Sequence, residues 1–300
     1  MNSGGISCLN NLTFFIVTDS SCDLPQWLLD TYEDFALCPL TFTIDDEVNP
    51  PLDNKAFYDR LRSGSRSKTS QVNPEAFLDV FREAAGKGMD VLYVGFSSGL
   101  SGTVKSGFTA ASIAEKEFPE RKFLVVDTLS ASCGEGCLVD RAVELRREGK
   151  TIGEVYEWLE NNKLNLHHWY TVDDLHFLQR GGRVSASAAW FGSTLRIKPV
   201  MNMDNDGHLI PREKVIGRKR SISALFHKMQ VLGLDQGNQK IFISHGDCLD
   251  EVNLLVDMIK KEWGTKEFVI SYVGNVIGSH TGPGVIALFF FGVPREQWQG

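Results

Sequence analysis

No apolar run in this 300-residue sequence approaches the roughly 20 residues that a membrane-spanning helix needs. No Walker-type glycine loop with its lysine is present and no Gly-x-Gly-x-x-Gly, so neither phosphate-cradling fingerprint supports a nucleotide site. No set of His, Asp and Glu has the spacing of metal ligands, and none is assigned. Cysteine is sparse: six residues are scattered, and Cys133 and Cys137, four apart, lack the second pair or nearby histidines of a zinc set. A reduced, cytoplasmic setting is the expectation. Excess positive charge is also missing. The net charge of -7 gives the surface as a whole no attraction for nucleic acid, and neither an aromatic RNP-like motif nor a helix-turn-helix is found. Residues 1–12 are polar, rich in Gly, Ser and Asn and without a basic start, so a flexible extension is expected rather than a secretory signal.

What is there reads as alternating strands and helices. Thr13–Thr18 is a strand with the polar outlet Asp19–Asp23, and Asp23 is expected to cap a helix over Pro25–Asp34. A strand near Ala36–Thr43 and a helix near Asn54–Arg62 follow, then a hydroxyl-rich loop, Ser67–Gln71. Asn73-Pro74 suits the N-cap and first turn of a helix to about Gly86. Val91–Phe96 and Lys122–Val126 are apolar strands, each followed by a helix, and Thr151 with Glu154 forms a capping box for the next. The alternation predicts a parallel, doubly wound, Rossmann-like α/β domain over residues 13–164. Residues 165–300 have another texture: strands at Leu166–Thr171, Ile197–Met203, Leu209–Gly217, Lys240–Ser244 and Glu267–Val273, with Asn205-Asp206-Gly207 as a hairpin turn. That pattern predicts an α+β domain with an antiparallel sheet.

Four hydroxyl- or glycine-rich stretches follow strands, at 19–23, 67–71, 97–103 and 127–132. In Val91–Thr103 a strand runs into a turn and then a helix, which puts Ser97, Ser98, Ser101 and Thr103 where open α/β sheets bind ligands. Backbone N–H groups and hydroxyls there suit an anion, whereas the structural reading makes Ser101 a helix cap and Gly99 and Gly102 turn residues. Gln179-Arg-Gly-Gly-Arg183 ends a short helix; a C-cap explains the glycines but not both arginines. His280 lies in a tight Gly/Pro loop, Gly278–Gly284. Between Arg180 and Arg220 nine basic residues face three acidic ones, a local excess of six that suits an acidic or phosphate-bearing partner. An anion held by neutral hydroxyls and amides over an apolar cavity fits a carboxylate on a hydrophobic tail.

These motifs, in this order, resemble the DegV family from Phe14 onward: Val17–Leu24, Thr69–Gln71, Ser97–Thr103, Leu178–Ser185, Ile197–Pro199 and Gly278–Gly284. The resemblance implies a long-chain fatty acid in an apolar tunnel between the two domains, with its carboxylate at Thr69 and Ser98. Ser70, Ser97, His280 and Thr281 complete the expected ligand-binding set. It further implies that the protein is not an enzyme alone but the acyl-carrying subunit of a bacterial fatty acid kinase system. The kinase catalytic subunit, carrying ATP and Mg, would phosphorylate the carboxylate to an acyl phosphate, with Arg183 and His280 assisting transfer. No cofactor of its own is implied, and lipid exchange allows transient membrane contact. From another class, a stand-alone serine hydrolase or acyltransferase would use Ser98 with His280, but no acid is evident to orient that histidine.

Overall fold

The structure, a computed structural model, describes residues 14–184 and 196–295; the expected extension at 1–12 and Ser185 of the glycine–arginine motif lie outside them. Among the described residues the fold is α/β with three sheets. The first is parallel, in the order β2-β1-β6-β7: Phe35–Cys38, Phe15–Asp19, Val91–Gly95 and Phe123–Asp127. Its strands are apolar on both faces because both are covered. Val17, Val91 and Tyr93 pack with helices α3 (Pro74–Gly86) and α4 (Thr103–Glu117). Ile16, Leu92 and Val94 pack with α5 (Cys133–Arg147) and α6 (Ile152–Asn162) on the other side. Asn73 accepts from the Ala76 N–H at 2.9 Å and the Thr151–Glu154 capping box forms, so both helix starts lie where the sequence puts them.

The second sheet has six strands, β10-β9-β8-β13-β11-β12: Leu209–Ile216, Ile197–Met203, Leu166–Thr171, Ile286–Phe291, Ile241–His245 and Phe268–Tyr272. It is mixed rather than purely antiparallel, since β11 and β12 run parallel and are joined by α9 (Leu249–Trp263). The pleat separates its two faces. Trp169, Ile243, Leu288 and Phe290 meet α8 (Arg218–Leu232) and α9, whereas Leu166, Tyr170, Phe242, Ala287 and Phe289 share one core with α5 and the first sheet. Helix α5 is therefore buried between two sheets, and small residues let it approach both. A Cβ on Gly134 would meet the His168 ring, and one on Gly136 the Cys22 carbonyl. Cys133 and Cys137 are packing residues of this helix. All five described cysteines are unpaired.

Four local expectations change. The strand near Ala36–Thr43 breaks into β2 and β3 (Thr41–Ile44). The loop at 67–71 is instead β5 (Ser67–Ser70), which pairs antiparallel with β3 in a third sheet, β4-β3-β5, where β4 is Glu47–Val48. Helix α1 covers only Gln26–Leu29 and is not capped by Asp23, whose backbone is left-handed at φ 50° and whose carboxylate turns inward to accept from Ser132 Oγ at 2.5 Å. The Gly278–Gly284 loop is mostly helix, α10 (Asn275–Thr281), stopped by Gly282 at φ 73°. No helix among the described residues is long and apolar enough to cross a membrane.

Candidate functional site

A cavity of about 220 Å³ lies where the carboxyl ends of the parallel strands face the inner side of the six-stranded sheet. Leu40, Phe96, Leu100, Val276, Ile277 and Phe289 give it apolar walls. One group of polar residues comes from three separate elements. On β5 the alternation of the strand puts Ser67 and Thr69 on one face and leaves Lys68 and Ser70 exposed. That face meets α10: Ser67 Oγ lies 2.6 Å from Ser279 Oγ, and Thr69 Oγ1 lies 2.8 Å from His280 Nε2. The third contributor follows α7 (His176–Arg180). Its C-cap, Gly181, sits so close to His280 that a Cβ there would fall 2.2 Å from Nδ1. This close approach, not capping alone, accounts for the glycine. Arg183 then bends back, donating through Nη1 to the Gly181 carbonyl at 2.5 Å and through Nε to the Leu100 carbonyl at 3.3 Å.

Arg183 is half-buried, lines the cavity and has no carboxylate partner among the described residues, so its charge is uncompensated there. Burial lowers the Arg183 pKa from its usual value. Burial, with the Arg183 cation beside it, pushes His280 down to about 4, so the imidazole is neutral near pH 7. Its Nδ1 has no partner among the described residues. If Nε2 carries the proton, it donates to Thr69 Oγ1 and frees the threonine hydroxyl to donate to an anion in the cavity.

Of the residues expected from sequence, Thr69, Ser70, Arg183, His280 and Thr281 line this cavity. Ser97 and Ser98 do not. Ser97 Oγ is fully buried, donates to the Gly207 carbonyl at 2.9 Å and accepts from the Gly99 N–H. It anchors the tip of the β9–β10 hairpin on the 97–99 turn. Ser98 is not among the lining residues, and its N–H donates to Asp127 Oδ1 at 3.2 Å. The cavity reaches Ser101 and Gly102 instead, the end of the same turn. Ser101 Oγ accepts from the Thr103 N–H and lies 2.9 Å from Thr103 Oγ1, while the N-cap position of α4 falls to Gly102. Gly95-Phe-Ser-Ser-Gly99 also has the Gly-x-Ser-x-Gly spelling of a nucleophile elbow, but its serine is buried against Gly207 and far from free.

Deeper in, the 19–23 outlet is a buried acid cluster. Asp19 accepts from Tyr93 Oη at 2.7 Å and from the Phe96 N–H at 3.1 Å, and Ser21 Oγ stands between Asp19 Oδ1 and Glu135 Oε2. One hydroxyl proton cannot serve both carboxylates, so one acid is itself protonated; Glu135, with fewer donors around it, holds that proton. Burial raises all three acids, and Asp23 reaches about 7. This cluster fixes the turn that presents Phe96 to the cavity.

The basic stretch is partly neutralised. Arg218 pairs with Glu251 at 2.7 Å, Lys198 with Asp173 at 2.8 Å, and Arg212 donates to Asn202 Oδ1 at 2.8 Å; Arg196, Arg212, Lys214, Lys219 and Arg220 are exposed at the surface. Asp204, Asp206 and His208 of the hairpin bring their ligand atoms within 4.8 Å of one another, a grouping not read from sequence. Asp204 Oδ1 already accepts the Asp206 and His208 N–H groups, which gives the cluster a turn-forming role.

A family model described as "uncharacterised protein, DegV family" matches residues 13–293. A DegV domain-containing protein of Clostridium perfringens is 40% identical over 288 residues, covering 94% of this chain and 99% of its own. A DegV family protein of Thermus thermophilus, described for its fatty acid binding, superposes with a TM-score of 0.83 at 30% identity over 93% of this chain and 99% of that one. A DegV family protein of Eubacterium eligens loaded with heptadecanoic acid gives 0.82 at 25% identity over 93% and 100%.

Proposed function

The chain belongs to the DegV family, and on that premise we propose that its cavity binds a long-chain fatty acid and presents the carboxylate to a kinase subunit. The carrying observation is the pairing of an apolar cavity with one polar end that holds an uncompensated cation, Arg183, beside the Thr69–His280 pair. The carboxylate sits at that end, accepting from Thr69 Oγ1 and facing the Arg183 guanidinium. Ser101, Gly102 and Ser70 border the same end, and Thr281 closes it from α10. Ser98, which is not among the lining residues, is left out of this reading. His280 works through Thr69, holding its hydroxyl proton toward the ligand.

The tail supplies most of the affinity, since each buried methylene contributes about 0.8 kcal/mol, whereas a hydrogen bond to a charged carboxylate contributes about 1.5–3 kcal/mol. Phosphorylation is the partner's chemistry. A carboxylate oxygen attacks the γ-phosphorus of ATP, the bond to the β,γ-bridging oxygen breaks, and ADP leaves. Arg183 stabilises the charge gathered on the transferred oxygens. The exposed Arg196, Arg212, Lys214, Lys219 and Arg220 suit docking of an acidic or ATP-bearing partner. The Ser98–His280 hydrolase reading gains no support, because His280 bonds Thr69 and no carboxylate holds its Nδ1. Native mass spectrometry of protein purified from cells tests the binding step: the expected result is a mass increment of one long-chain fatty acid, and a chain that neither carries nor takes up such an acid refutes it.

A further inference from the structure

The inner face of the six-stranded sheet carries a polar row that the carboxylate end leaves unused. Tyr170 of β8 lies opposite Ala287 of β13, and Ala287 lies opposite Ser244 of β11. With strands spaced about 4.8 Å apart, Tyr170 and Ser244 flank the small Ala287 side chain from either side. All three line the cavity, as does His168, two residues before Tyr170 on the same face of β8. Tyr170 is 6% exposed and His168 4%, and neither Tyr170 Oη nor His168 Nε2 has a hydrogen-bond partner among the described residues. Ser244 Oγ lies 2.9 Å from Ser132 Oγ, which donates to Asp23 Oδ2. With the Ser132 proton committed to Asp23, Ser244 is the donor between the two serines, and its own lone pairs remain open as acceptors.

A plain hydrocarbon laid along this row leaves the phenol stranded, and a buried donor without an acceptor is costly. A hydroxyl on the chain removes that cost: its oxygen accepts from Tyr170 Oη and its proton goes to Ser244 Oγ, with the methyl of Ala287 beneath. We propose that the cavity prefers long-chain fatty acids bearing a hydroxyl along the tail, held between Tyr170 and Ser244. The proposal rests on the reading of this cavity as a fatty-acid site.

The test measures displacement of a fluorescent fatty acid from the full chain by stearic acid and by a positional series of hydroxystearic acids. The proteins are the unaltered chain, Tyr170→Phe and Ser244→Ala. At least one isomer is expected to bind about tenfold tighter than stearic acid to the unaltered chain, and that ratio is expected to fall below about twofold in Tyr170→Phe. Ser244→Ala, a smaller change to the fold, is expected to lower the same ratio and carries the test should Tyr170→Phe melt early. Stearic acid that binds with no isomer preferred, or a preference that survives in both variants, overturns the proposal and leaves the fatty-acid reading standing. Failure of stearic acid itself to bind takes down both.

Discussion

Ser67–Gln71 and Ser97–Thr103 are close in composition, each a short run rich in hydroxyls beside the parallel sheet, yet they do different work. In the first, pairing with β3 imposes strand alternation, so Ser67 and Thr69 share a face and meet Ser279 and His280. In the second, a tight turn commits its hydroxyls to fastening: Ser97 to the docked hairpin at Gly207 and to Gly99, Ser101 to Thr103. A strand aims every second hydroxyl outward to a partner or ligand, whereas a turn tends to consume them in its own backbone. The same residue type lines a cavity wall in one place and fastens a hairpin in the other.

The largest effect expected from breaking this contrast lies at the third contributor. Arg183→Ala keeps most of the fatty-acid affinity but lowers acyl-phosphate formation by about ten- to a thousandfold when kinase subunit and ATP are supplied. Single-turnover phosphorylation, with lipid binding and thermal stability measured on the same variant, checks it; a normal rate in a folded variant removes Arg183 from the transfer step. Next comes the direct comparison of the two stretches. Thr69→Ala is expected to weaken binding of a free fatty acid about tenfold and Ser98→Ala to leave it within about twofold, read by titration calorimetry. Equal losses would erase the distinction. Ser97→Ala sharpens it from the other side, since it strands the Gly207 carbonyl and should cost about 1–3 kcal/mol of stability, seen as a lower urea midpoint, with affinity retained by the folded fraction.

The smallest effect is one of pH. His280 is depressed to about 4 in the fold, against an ordinary value near 6.5, so between those values the unfolded chain binds the extra proton. Its contribution to stability is therefore present above pH 6.5 and lost as pH falls toward 4, at most about 1.4 kcal/mol per pH unit. Asp23, raised to about 7, acts with the opposite sign, favouring the fold below its ordinary value and losing that as pH rises through 7. The difference between the unaltered chain and His280→Gln, followed by urea unfolding at pH 4, 5, 6 and 7, isolates the histidine: the gap should close as pH falls, and a gap independent of pH contradicts its neutral, buried state.

Much of this was legible from residues alone wherever local chemistry decides. The Val91–Gly95 strand, the Asn73-Pro74 helix start, the Thr151–Glu154 box and the Asn205–Gly207 hairpin each stand where propensity and turn chemistry put them. Thr69, Arg183 and His280 were found through motif resemblance, and the structure explains their company. What was not legible depends on distant partners. Ser67–Ser70 has no apolar alternation, and only β3 makes it a strand. Gly278–Gly284 reads as a Gly/Pro loop because the helix that enters it, Asn275–Thr281, is short and supported by β5 and α7. The turn at 97–103 offers several hydroxyls, and which of them faces the cavity depends on the hairpin docked against Ser97. Tyr170 and His168 sit in a strand whose pattern announces only core.

The central claim, that Thr69, His280 and Arg183 form a carboxylate end over an apolar cavity, is tested most directly by one pair of titrations. Palmitic acid and its methyl ester have nearly the same tail and differ in the head-group charge. The account predicts that the unaltered chain binds the acid about ten- to a hundredfold tighter than the ester. Equal affinity for the two would show that nothing at that end reads a carboxylate, and would contradict it.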